Sequence, residues 1–159
     1  MRRWLWWFLL APQAHLLAGI WRDAGLPAFD MAVLWCVCLA FFAERAAVPW
    51  LLLGAALGRA LVDEATLPVQ ILVLGVPVAV LLPLRPVFFG QRWLWLATSA
   101  AVCAILVPKL AGLFGRWFDQ PSASSHLDGV SVVWSALLVP PLVLLLRCLP
   151  PCRAFEEVR

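Results

Sequence analysis

Ionisable side chains are scarce in the long apolar runs of this sequence, so the few that occur are where chemistry or recognition would reside. Arg59, Asp63 and Glu64 gather at the end of one such run. Arg59 and Asp63 are spaced i, i+4, which places them on one helix face within reach of each other. A charge inside a bilayer is costly and marks function by default, so the pair reads as an ion or partner site. It also reads as an ion pair at the outer interface, with Arg59 stretching its charge toward water.

Asp30 follows Pro27 at the start of the next apolar run toward the N-terminus. Its type suits a helix cap, or an acid in the first turn favoured by the helix dipole; a proton-relay role is the rarer alternative. His15 lies three residues after Pro12 in the first run. A lone His there most often bonds a carbonyl or a neighbour. Lys109 and Arg147 sit where their stems can carry the charge outward. Cys36, Cys38, Cys103 and Cys148 lie in or at the ends of apolar runs, with Cys152 beyond the last. They read as small buried hydrophobes rather than metal ligands, since Cys36-Val37-Cys38 lacks metal spacing and a nearby His. The sequence shows no phosphate-cradling Gly loop, no nucleophile with a base and no acid pair at catalytic spacing. No cofactor or metal is expected, and nothing points to an enzyme.

What must position these residues is a membrane bundle. Of 159 residues, 64% are hydrophobic and 13% charged, against about 25% charged in ordinary globular chains. That excludes a disordered chain and most soluble enzymes. The net charge of +3 is scattered over the chain, so the basic stripe that a nucleic-acid partner requires is missing. Six apolar stretches stand out: Trp4–Trp21, Ala28–Ala43, Ala46–Val62, Leu67–Phe89, Trp93–Phe114 and Gly129–Leu149. They are continuous rather than alternating, which argues for helices and against a β-barrel. The second and third are short for a crossing, and five spans with a re-entrant segment is the alternative. At about 20 residues per crossing, six spans leave roughly 39 of the 159 residues for loops and ends. The whole chain is therefore expected to be one polytopic membrane domain. Met1-Arg2-Arg3 before an apolar run also resembles the start of a signal peptide, but a first membrane helix suits a chain with nothing soluble behind it.

Orientation follows from basic residues, which favour the cytoplasmic side. With six spans, Arg2, Arg3, Arg45, Arg85, Arg92, Arg147, Arg153 and Arg159 share one side, eight of the 12 basic residues. Both ends are thus predicted to be cytoplasmic. The tryptophans fit an interfacial belt, with Trp4, Trp6, Trp7, Trp50, Trp93 and Trp95 on the cytoplasmic side, Trp21 and Trp117 on the other, and Trp35 deeper. Arg116–Asp128 is the one strongly polar loop, and its Pro121 and Ser run argue against a helix.

Gly54 and Gly58 form a GxxxG, surrounded by Ala46, Ala47, Ala55 and Ala56. Small residues at this spacing let two helices approach closely, either within the chain or against a partner. Pro49, Pro77, Pro83, Pro108, Pro140 and Pro141 fall inside apolar stretches, where each removes a backbone donor and favours a bend.

The order of these features resembles the MreD family of bacterial rod shape-determining membrane proteins. The likeness begins at Leu26-Pro27-Ala28-Phe29-Asp30-Met31-Ala32-Val33-Leu34, a Pro-Asp step into a Leu-rich helix that ends at the Glu44-Arg45 turn. It continues through Trp50–Asp63, a Gly-spaced helix closing on an Asp, and Leu67-Pro68-Val69-Gln70 at the next helix start. It ends at Ser135-Ala136-Leu137-Leu138-Val139-Pro140-Pro141-Leu142, before a basic tail. The resemblance implies a six-helix fold similar to the substrate-binding S components of energy-coupling-factor vitamin importers. It also implies a non-catalytic scaffold of the cell-elongation machinery in the bacterial inner membrane. Such a scaffold would bind a bitopic MreC-like partner, with indirect links to actin-like MreB and the peptidoglycan synthases. Gly54, Gly58, Arg59, Asp63 and Asp30 are the candidate partner or packing residues. The competing reading is a small solute-binding or transporter subunit, motivated by the intramembrane prolines, His15 and the Arg59/Asp63 pair.

Overall fold

A computed structural model describes residues 2–23, 30–86, 92–120 and 129–148, with side chains over 7–20, 30–86, 93–120 and 129–146. Its helices are α1 (Arg2–Asp23), α2 (Met31–Phe42), α3 (Val48–Ala60), α4 (Leu67–Leu81), α5 (Arg92–Trp117) and α6 (Gly129–Cys148), with a 3-10 turn at Leu82–Leu84. Among the described residues there is no strand. Three helical stretches are long and apolar enough to cross a membrane: Leu67–Leu84, Trp93–Trp117 and Gly129–Leu146. Trp7–Ile20, Met31–Phe42 and Val48–Ala60 are shorter apolar helices.

The boundaries follow local chemistry. Asp30 has extended backbone and accepts the Ala32 N–H at 2.9 Å, so it is the N-cap of α2. Pro49 and Pro68 stand in the first turns of α3 and α4, where a missing N–H costs nothing. The fourth apolar stretch leaves α-helix after Leu81, eight residues before the expected Phe89. Pro83 and Pro86 lack the donors needed to extend it, and residues 87–89 lie outside the described ones. The polar loop starts later than Arg116: α5 runs on through Trp117 and stops at Asp119, whose φ of 49° breaks the helical repeat. Residues 121–128 lie outside the described ones.

The core is built around α2. Its nine residues Ala32–Ala40 are all buried, and the helix touches each of the other five. A helix that is apolar all round belongs at a centre. At 12 residues it is about 18 Å long, well below the roughly 30 Å of a bilayer core. Around it, α3, α4, α5 and α6 pack in sequence order, and α1 lies mainly against α3. Arg85 ties the far end, donating from Nη1 to the Ala43 carbonyl at 2.9 Å.

Trp7, expected in the interfacial belt, is instead in the core at 1% exposure. Its ring meets Trp35 edge to face, with centroids 4.6 Å apart, and its Nε1 donates to the Leu51 carbonyl of α3 at 2.8 Å. That bond and the aromatic pair outweigh the interfacial preference of an indole. Trp35 is as deeply buried, yet its Nε1 has no partner. The two tryptophans should therefore respond differently to phenylalanine. Trp7→Phe loses a buried hydrogen bond and is expected to cost about 1–3 kcal/mol, whereas Trp35→Phe also removes an unsatisfied donor and should cost clearly less. Denaturant titration of the purified variants, followed by far-UV circular dichroism, measures the difference.

Candidate functional site: a polar node where α1, α3 and α4 meet

The seam between α1 and α3 positions the site. A Cβ added to Gly54 would lie 2.9 Å from Trp7 Cδ1, and one on Gly58 would lie 2.8 Å from the Pro12 nitrogen and 2.9 Å from the Ala11 carbonyl carbon. Thus 54 pairs with 7 and 58 with 11: the two helices run parallel, in register, at backbone contact. The GxxxG is therefore an internal packing surface, occupied by α1. Ala55 and Ala56 are fully buried beside it.

On α1 the seam-facing stripe is Trp7, Ala11 and His15, spaced i, i+4, i+8 and all buried. The register brings His15 to the level where α3 ends, one turn beyond Gly58. There Arg59 Nε and Asp63 Oδ2 pair at 3.6 Å, with side chains only 15% and 13% exposed. Arg59 thus turns inward rather than out to water, and its Nη1 is buried with no partner. The His15 imidazole lies within electrostatic reach of Asp30, Arg59 and Asp63.

Gln70, on the first turns of α4, completes the group. Its Nε2 donates to Asp63 Oδ2 at 2.8 Å, while its Oε1 is buried without a partner. Gln70 is 2% exposed. Sequence reasoning gave this residue no role. Its position seven residues after Asp63, beyond a two-turn connection, was the available signal. Nearby, the N–H and hydroxyl of Thr66 both donate to Gln120 Oε1, at 2.9 and 2.8 Å, fastening the start of α4 to the end of α5.

The expected site residues are thus sorted by the fold. Arg59 and Asp63 meet as the spacing required, Gly54 and Gly58 serve the seam that aligns them with His15, and Asp30 caps α2. Glu64 is exposed. Cys36, Cys38 and Cys103 are buried and outside any disulfide, and Cys36 donates weakly to the Leu74 carbonyl at 3.7 Å. Cys148 and Cys152 side chains, and His126, lie outside the described residues. Among the described residues no group of three His, Cys, Asp or Glu side chains gathers to hold a metal. Chemically, the node offers one free guanidinium N–H edge, one free amide oxygen and one free imidazole nitrogen in a mostly covered setting.

Compared with protein-family models, with curated proteins and with solved structures, the chain matches none.

Proposed function

We propose that this chain is a non-catalytic scaffold subunit of a bacterial cell-elongation assembly, of the kind its MreD-like features imply. In this reading it crosses the inner membrane six times, with both ends in the cytoplasm. The observation that carries the reading is the order of its parts. A core helix led by the Asp30 cap is followed by a Gly-spaced α3 with Asp63 just past its end, an α4 opening at Leu67-Pro68 and an α6 that carries Pro140-Pro141 within it. The long helices support a bundle that works through its faces. On α6, Val130, Val133, Leu137 and Leu145 are exposed along one stripe, suited to lipid or to a single-span helix. Because α1 already fills the Gly54/Gly58 surface, the partner's helix docks elsewhere on the bundle.

The test is co-expression of the tagged chain with a bitopic MreC-like protein from the same genome, followed by detergent extraction and size-exclusion chromatography. Co-elution of the two proteins through the column is the expected result. A chain that elutes alone, folded and free of the bitopic protein, removes the proposal.

A further inference from the structure

We infer that the polar node of His15, Arg59, Asp63 and Gln70 is a binding site for a small neutral solute whose polar group both donates and accepts hydrogen bonds, such as a carboxamide or hydroxyl. Three atoms there are buried and unpartnered: His15 Nε2, Arg59 Nη1 and Gln70 Oε1. Two of the side chains, His15 and Gln70, are 6% and 2% exposed. Buried polar groups are ordinarily satisfied, and three orphans around one ion pair form a coherent set of demands. The Gln70 amide cannot turn to help itself: its Nε2 is committed to Asp63 Oδ2, and flipping would set oxygen against carboxylate. Gln70 Oε1 therefore requires a donor, and Arg59 Nη1 requires an acceptor. His15 Nε2 takes either, according to its tautomer.

Charge selects the ligand class. Arg59 and Asp63 neutralise each other's charge at 3.6 Å, and the Asp30 carboxylate is committed to the N-terminus of α2, so an ion of either sign finds no unpaired opposite charge in the node. An anion would accept from Arg59 but face the bare Gln70 oxygen and the Asp63 carboxylate. A cation would satisfy Gln70 but face the guanidinium. A neutral group carrying donor and acceptor side by side meets both demands. Arg59 and Asp63 keep partial exposure at the end of α3. This site is separate from the docking surface of a scaffold, and its occupancy is read without any partner protein.

The test uses three isosteres, acetamide, acetate and acetamidinium, which share shape and differ in charge and hydrogen-bond polarity. Saturation-transfer difference NMR on the full chain in deuterated detergent, at pH 7, ranks them directly. Acetamide is expected to give a signal several-fold above both ions, and to lose it in Gln70→Leu. The wild-type ranking stands as a test even if that variant fails to fold, and His15→Leu serves as the second variant. Equal signals from all three, a stronger signal from either ion, no signal from acetamide, or acetamide binding that survives in folded Gln70→Leu would each overturn the assignment.

Discussion

Replacing Gly58 by alanine is expected to destabilise the bundle by about 3 kcal/mol, the upper part of the usual range for overpacking. The added methyl would sit 2.8–3.0 Å from backbone atoms of Ala11 and Pro12. Neither can swing aside as a side chain tip would, so α1 must move off α3 as a body. That displacement also strains the Trp7–Leu51 bond and separates His15 from Arg59. Gly54→Ala should cost less. It meets side-chain atoms of Trp7 and Phe8 at 2.9–3.2 Å, and a side chain, above all the half-buried Phe8, gives more readily than backbone. Gly19→Ala is the internal control: nothing lies within 4 Å of its added carbon, and alanine is the better helix former by up to about 1 kcal/mol. Equilibrium unfolding in mixed micelles orders the three. A Gly58→Ala protein as stable as wild type would mean that α1 does not pack on α3 at this register.

The second large effect belongs to Asp63. Its Oδ2 accepts from Gln70 and pairs with Arg59, so Asp63→Ala strands a mostly covered guanidinium and a buried amide donor. Breaking one side of such a pair costs about 3–5 kcal/mol. Removing both charges together, as Arg59→Met with Asp63→Leu, should cost less than the single Asp63 change, because no uncompensated charge remains. The same unfolding experiment, run as a double-mutant cycle, reads both values. If Asp63→Ala costs below about 1 kcal/mol, the pair behaves as a solvated surface bridge and the inward placement of Arg59 is wrong.

The spacing of Arg59 and Asp63 was enough to pair them, because an i, i+4 relation is a property of one helix. Asp30 as a cap was equally local. The small residues at 54 and 58 announced a close approach but not its partner, since GxxxG is satisfied by any smooth helix surface. Trp7 was assigned to the interface by type, and the pull of a specific carbonyl and of Trp35 is invisible along the chain. Gln70 and His15 belong to different helices from Asp63 and from each other, so their convergence is a matter of packing.

The amino-acid sequence alone determined that this is a helical, strongly apolar chain, that Asp30 suits a helix cap, and that Arg59 and Asp63 are neighbours. Those are consequences of composition, proline and capping chemistry, each acting over a few residues. Only the tertiary structure decided that α2 is the enclosed centre, that the glycine seam is spent on α1, and that His15, Arg59 and Gln70 each keep a buried polar atom without a partner. The reason is physical. In a bundle that carries large apolar residues on its exposed side as well as in its core, hydrophobic periodicity no longer distinguishes the two. The faces that meet are then chosen by shape and by the few polar groups that must find one another.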